Sequence, residues 1–283
     1  MVEVRGVEVA RTVRGIVEYG SSQGLSTLHL AAALRPWRIR PLAVSSRPRP
    51  TVSPDPAGCA MMRVMKTALL FGASGFIGSQ LLARLLASAD HGRVTIVVRR
   101  DLGLAHPKLT TLVGDLGTLP ALADRLDADD VFIAIGTTKK KVPDEAAYYR
   151  VDHDYPVRAA ALAKAAGASG VFLVSAVGAN AASSVFYLRT KGETECDVMA
   201  LGFARTHVFR PSQLLGERAE KRPLERALIA AWPAIDWLLV GGARRYRGIA
   251  GAEVASAMAT AARDGSAGTH VHEWASMKAL AAR

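Results

Sequence analysis

The apolar run Thr67–Phe71, TALLF, leads directly into GASGFIG, and behind those glycines Ile77, Leu81, Leu82, Leu85 and Leu86 recur at helical spacing. A strand without polar alternation has to be buried on both faces. A chain that turns sharply off such a strand into an amphipathic helix has to lay that helix back on the sheet. Gly72, Gly75 and Gly78 permit this: the first allows the tight turn, the second a close approach of backbone to a phosphate group, and the third close packing of helix on strand.

The pattern then repeats. Strands are predicted at Thr67–Phe71, Val94–Val98, Leu109–Val113, Asp130–Ile135, Val171–Ala176 and Thr206–Arg210. Helices are predicted at Phe76–Ala89, Leu119–Leu126, Asp144–Ala166 and Val185–Leu201. Strands alternating with longer helical stretches predict an α/β fold, a doubly wound parallel sheet of Rossmann type with helices on both faces. GTHVHEWASMKALA predicts a last strand and a short helix returning to the sheet. The segment after Pro211, including RPLERALIAAWPAIDWLLVGG, is expected to be helical, apolar on one side, and to supply the substrate-binding portion.

Residues 1–62 differ from the rest. They are rich in Pro, Arg and Ser, carry no sustained period, and are expected to be disordered. Translation beginning among Met61, Met62 and Met65 is one account of this extension, and a functional tail or targeting segment is another. Residues 63–283 are expected to form one domain. Half of the 283 residues are hydrophobic, enough for a sizeable core.

The net charge of +11 invites a nucleic-acid reading. However, the cationic runs TKKK (Thr138–Lys141) and RRYR (Arg244–Arg247) are short and lack interleaved aromatic residues, so no nucleic-acid partner is expected. Cys59 and Cys196 make no disulfide framework and sit in no zinc pattern. The longest later apolar stretch is interrupted by Pro233 and Asp236, so no membrane span is expected. With no secretory core at the N-terminus, a cytoplasmic location is expected.

The helix N-terminus behind the glycines suits a dinucleotide pyrophosphate. A carboxylate for the ribose hydroxyls of NAD normally stands about twenty residues on, at the end of the second strand. Here Arg99 and Arg100 stand there instead. A guanidinium pairs well with a 2′-phosphate, so NADP is preferred and NAD is the alternative. Asp115, after the third strand, reads either as an acceptor for the adenine amino group or as a turn aspartate.

Tyr187 and Lys191, in YLRTK, lie one helical turn apart, and Ser175 closes the fifth strand at the carboxyl edge where such sheets bind ligands. An ammonium beside a phenol is expected to lower its pKa. The serine hydroxyl would then polarise a carbonyl while Tyr187 delivers the proton, and Lys191 would also hold the cofactor ribose.

With GASGFIG, IGTT, YRVDHDYPVRAAALAKAAG, LVSAVGA, YLRTKGETE and FRPSQLLGE in this order, the chain from about Met65 resembles the short-chain dehydrogenase/reductase superfamily. Within it, the resemblance is to the atypical branch that includes Tat-interacting oxidoreductase-like proteins. The resemblance implies cofactor contacts from Gly72, Ser74, Gly75, Phe76, Ile77 and Gly78, with Arg99 at the 2′-phosphate. It implies that Gly136 and Thr137 cover the cofactor and that Arg210 and Pro211 lie near the nicotinamide. Two positions depart from the family: Asp152 replaces an asparagine that supports a proton relay in classical members, and Ser212 follows Arg210-Pro211 where glycine is usual.

His153 among acids, and His270 and His272 in THVHE, do not form a convergent ligand pattern, and no metal is expected. Trp232 and Trp237 read as core packing or as a roof over the substrate cleft. The leading reading is an NADP-dependent reductase or dehydrogenase acting on a carbonyl or alcohol. Its rivals are a nucleotide-sugar epimerase or dehydratase, and an NADPH-sensing binding protein with little turnover.

Overall fold

A computed structural model describes residues 65–138, 142, 144–215 and 239–283. The readings for the N-terminal extension, and for Trp232, Trp237 and most of the helical stretch after Pro211, lie outside the described residues. Strand β1 (Lys66–Phe71) feeds helix α1 (Phe76–Ala87), then come β2 (His91–Val98) and β3 (Leu109–Val113). After a 3-10 turn over Leu119–Arg125 the chain forms β4 (Asp130–Ile133), α2 (Glu145–Tyr149), a π turn over Arg150–Asp154, and α3 (Tyr155–Ala165). Next are β5 (Gly170–Val174), α4 (Phe186–Ala200), β6 (Arg205–Phe209) and β7 (Leu214–Leu215). The last part holds a 3-10 turn over Gly241–Tyr246, β8 (Ile249–Ala250), α5 (Gly251–Asp264), β9 (Gly268–His272) and α6 (Trp274–Ala281).

The main sheet has seven parallel strands in the order β3-β2-β1-β4-β5-β6-β9. The Rossmann-type α/β fold read from the sequence is therefore the fold of the chain. Alternate residues of each central strand enter two separate cores, as a period of two requires. Leu70, Phe132 and Phe172 pack with α1, α5 and α6 on one face. Leu69, Phe71, Val131, Ile133 and Leu173 pack with α3 and α4 on the other. At the amino end of the sheet, buried Asp130 of β4 reaches three other strands, 2.7 Å from Arg205, 3.5 Å from Lys66 and 3.6 Å from His91.

One expected helix is broken. The stretch predicted as continuous over 144–166 is α2, the π turn and α3. Pro156 has no N–H to return to the Asp152 carbonyl, four residues back. That carbonyl instead accepts a hydrogen bond from the Thr194 hydroxyl of α4 at 2.9 Å. The π turn is thus fastened to the neighbouring helix, with Asp152 beside it. No helix among the described residues is long and apolar enough to cross a membrane.

Candidate active site

The glycine turn is built by close backbone contacts. Gly72 has φ +87°, and a Cβ there would meet the Ala134 carbonyl oxygen at 2.5 Å. A Cβ on Gly78 would lie 2.0 Å from the Gly72 carbonyl oxygen, whereas one on Gly75 would lie 3.1 Å from it. Gly75 stands at the start of α1, where no side chain caps the helix and no acidic residue enters the first turn. Free amide donors and the positive end of the helix dipole are therefore presented to an anion, which fits a dinucleotide phosphate. Ser74 is exposed and Ile77 is buried in the core. The Phe76 ring packs against Gly251 at the start of α5, where a Cβ would come within 2.5 Å of it.

At the end of β2, Arg99 is exposed. Its charge and that of Asp115 both act on Tyr155, whose pKa is raised first by burial, then by Asp115, with Arg99 opposing. Asp115 takes the turn role: its Oδ1 accepts from the Gly117 amide at 2.9 Å and from the Thr118 amide at 3.0 Å. The hydrogen bond from the Thr118 amide is the main cause holding its carboxyl below the ordinary range.

Lys191 and Asp152 meet at the strand end beside this turn. Lys191 is buried, with its ammonium 2.7 Å from Asp152 Oδ1. The Thr137 amide donates to Asp152 Oδ2 at 2.9 Å. A Cβ on Gly136 would lie 3.7 Å from that carboxylate and 4.0 Å from Lys191 Nζ. Gly136 follows Ala134, whose carbonyl covers Gly72, so the lysine and the glycine turn share one strand end. Tyr148 adds its hydroxyl to the Thr137 carbonyl at 3.4 Å and sets its ring edge-on to Phe186.

Ser175 lies one residue beyond the end of β5, buried at the carboxyl edge of the sheet, with a hydroxyl that has no hydrogen-bond partner among the described residues. The loop after it docks on the first turn of α4, where the Asn180 amide donates to the Leu188 carbonyl at 3.0 Å.

Two expectations change here. Lys191 was expected to bring the pKa of Tyr187 down, but that pKa is raised above 10. Desolvation of the phenol is the largest cause, even though 38% of the residue's surface is exposed. The Lys191 ammonium works against it, and the Asp152 carboxylate adds to it. Arg210 is committed elsewhere: its guanidinium grips Glu195 of α4 through two nitrogens, one at 2.9 Å. Pro211 is buried, and its carbonyl accepts from the Val177 amide at 3.0 Å.

The sequence reading passed over Gly192, where a Cβ would meet the Ala181 amide nitrogen at 2.1 Å. It lets α4 lie against the loop after β5, next to Lys191. Its signal was a glycine in the interior of a predicted helix.

The histidines form structural networks, and no group of three or more metal-ligating side chains is placed to hold a metal among the described residues. His207 Nδ1 lies 3.0 Å from His272 Nε2, the two rings stacked with His270 across β6 and β9. Burial, and then the neighbouring histidines, hold both His207 and His272 at about 4. Burial opposes the charged form of His153, but hydrogen bonds to Asp154 and Asp197 push it up to about 9. Between about pH 6.5 and 4 the unfolded chain binds protons that folded His207 and His272 refuse, so stability falls with acid. His153 acts in the opposite sense: its contribution is complete below about pH 6.5 and is lost as pH rises through about 9. Melting temperature measured against pH is expected to peak near neutrality. A variant His272→Gln should lose less stability on acidification, and an unchanged acid limb in that variant would refute the assignment.

A sequence-family model described as NAD(P)H-binding matches residues 72–222. Protein fmp52, mitochondrial, of Aspergillus fumigatus is 40% identical over 171 residues, covering 58% of this chain and 73% of that protein. Protein HTATIP2 of Rattus norvegicus is 39% identical over 164 residues, covering 56% of this chain and 67% of that protein. Among solved structures, MoeE5 in complex with UDP-glucose and NAD superposes with a TM-score of 0.55 at 21% identity, covering 72% of this chain and 74% of that chain. The Bordetella bronchiseptica enzyme WbmH in complex with NAD+ gives 0.56 at 18% identity, covering 74% and 75%. At these identities the likeness is one of fold.

The expected cytoplasmic location is overturned by the relatives, since the fmp52 proteins of Aspergillus fumigatus and Candida albicans are both named as mitochondrial. The fold gives no address, because targeting is read from signals and not from a packed domain.

Proposed function

Because the chain belongs to the NAD(P)H-binding family whose model spans residues 72–222, we propose that it is an NADP-dependent oxidoreductase of the short-chain dehydrogenase/reductase type, acting on a small carbonyl or alcohol. The observation that carries this reading is the placement of Lys191 against Gly136, on the same strand end that covers the Gly72 turn. The Tyr187–Lys191 face of α4 is thereby set beside the anion-binding turn. When bound, the dinucleotide supplies the hydride. The chain's own residues do the rest: the α1 amides hold phosphate, Ser175 donates to a substrate oxygen, and Tyr187 exchanges a proton with that oxygen. The Lys191 ammonium is ion-paired with Asp152 Oδ1 at 2.7 Å and has three N–H donors, which can serve a ribose hydroxyl and Tyr187.

Arg99 is the residue that favours NADP. It is exposed at the end of β2 and is free of hydrogen bonds among the described residues, so its guanidinium can pair with a 2′-phosphate. In titrations of the purified protein, Arg99→Ala is expected to weaken NADPH binding roughly 10- to 100-fold while leaving NADH binding nearly unchanged. Tighter binding of NADH than of NADPH by the unaltered protein would overturn the role given to Arg99. Epimerisation of a nucleotide sugar without net change in the redox state of the dinucleotide would overturn the oxidoreductase reading.

A further inference from the structure

Asp152 stands where the resemblance expects a neutral asparagine, and it is one of the most completely buried charged residues among those described, 1% exposed. Each of its carboxylate oxygens has a partner from a different element: Lys191 Nζ of α4 at 2.7 Å on one, and the Thr137 amide after β4 at 2.9 Å on the other. Its own backbone is held by the Thr194 hydroxyl through the π turn. A carboxylate fixed in this way cannot swing away from the lysine. The Asp152 carboxylate therefore offsets part of the Lys191 charge that would otherwise stabilise a phenolate.

We propose, resting on the oxidoreductase reading above, that Asp152 is the positioning residue that tunes the acid/base pair: by offsetting the charge of Lys191 it adds to burial of the phenol in keeping Tyr187 in its proton-donating form, which suits the site to carbonyl reduction. In that step the hydride pair becomes the new C–H bond at the carbonyl carbon, the C=O π pair passes to oxygen, the Tyr187 O–H bond breaks and its proton goes to that oxygen, and the phenolate left behind regains a proton from water. The titratable and charged groups acting on Tyr187 and Asp152 from the packed elements are Lys191 on α4, Asp152 on the π turn and Tyr148 on α2. Tyr148 carries no charge at neutral pH, since burial first, and then Asp152 and Tyr187, raise its own pKa. The balance thus lies between one cation and one anion. Burial of the phenol is the first cause of the raised pKa of Tyr187; Lys191 opposes it, and Asp152 adds a smaller push in the same direction as burial.

The test is the ionisation of Tyr187 itself, read from tyrosinate absorbance as the difference between each protein and its Tyr187→Phe counterpart. Asp152→Asn keeps the shape, and its amide oxygen still accepts from Thr137, but it releases the lysine. The midpoint of Tyr187 ionisation is expected to fall by about one pH unit or more in this variant. Asp152→Glu, which restores the charge, is expected to return it toward the original value. Lys191→Gln, leaving Asp152 unopposed, is expected to raise it, which keeps the proposal testable should Asp152→Asn fail to fold. An unchanged midpoint in a folded Asp152→Asn protein, or in Lys191→Gln, would overturn the proposal. With a carbonyl substrate, the alkaline limb of the pH profile for reduction should move down with the midpoint in Asp152→Asn. A purely structural role would lower activity at every pH without moving the limb. If the ionisation shifts as expected while no carbonyl is reduced by any form of the protein, the assignment of Asp152 stands and the oxidoreductase reading fails.

Discussion

Tyr187→Phe is expected to reduce turnover of a carbonyl substrate by on the order of 10²–10⁴-fold, while leaving NADPH binding and thermal stability close to those of the unaltered protein. The substitution removes one oxygen. The ring remains on the first turn of α4, with over a third of its surface exposed, so no cavity is opened in either core. Lys191 stays paired with Asp152 whether or not the hydroxyl is present, so the cofactor side of the site is left as it was. The group lost is the hydroxyl proposed to exchange a proton with the substrate oxygen. Steady-state turnover across a panel of aldehydes and ketones, with NADPH titration in parallel, checks this. Equal activity of the two proteins would remove Tyr187 from the chemistry.

Gly78→Ala is expected to be the most damaging single methyl group that can be added to the nucleotide half. The new Cβ would lie 2.0 Å from the Gly72 carbonyl oxygen and 2.7 Å from its carbon, both backbone atoms that no rotamer change can move. Gly72 is itself confined at φ +87° under the Ala134 carbonyl, so the clash passes directly into the β1–β4 edge. Overpacking against rigid backbone costs about 3 kcal/mol, at the upper end of its usual range, equivalent to roughly 10 °C in melting temperature for a domain of this size. NADPH binding should be lost with it, because α1 can relieve the contact only by backing away from the phosphates. Gly75→Ala is the control. Its Cβ would sit 3.1 Å from the same carbonyl, which can give by a few tenths of an ångström, so stability should change by less than about 1 kcal/mol. Dinucleotide affinity should nevertheless drop, since the methyl group occupies the approach of the pyrophosphate. Thermal unfolding and NADPH titration of the two variants separate the structural from the ligand-binding glycine. Equal stability of the two would show that the turn is more pliant than its geometry implies.

Much of the architecture was legible because it follows from local patterns. Strand β3 falls on the predicted residues, and the other central strands deviate by one to three at either end. Their unbroken apolar character reports burial on both faces, which only a layered parallel sheet provides. The helix breaks were less legible. The stretch from Asp144 looked continuous because alanines and alternating apolar residues hold helical spacing across it, and Pro156 alone marked the place where a carbonyl would be left over. What takes up that carbonyl, Thr194, is forty-two residues away, and no local pattern carries that information.

The sequence by itself determined that the chain turns from a buried strand through glycines into a helix, that a basic residue ends the second strand, and that Tyr187, Lys191 and Ser175 reach the carboxyl side of the sheet. These are consequences of chain periodicity and of strand direction. The tertiary structure alone decided the charge of the site. Asp152, read from the sequence as replacing the asparagine of a proton relay, is brought to 2.7 Å from Lys191 by the π turn, while Glu195 captures Arg210. Electrostatic energy depends on separations and burial in three dimensions, so residues far apart in the chain can reverse the pKa direction expected from two residues one helical turn apart. For Tyr187, expected to be acidified by its neighbour, burial of the phenol comes first and Asp152 adds to it, so its pKa lies above the ordinary value in spite of Lys191.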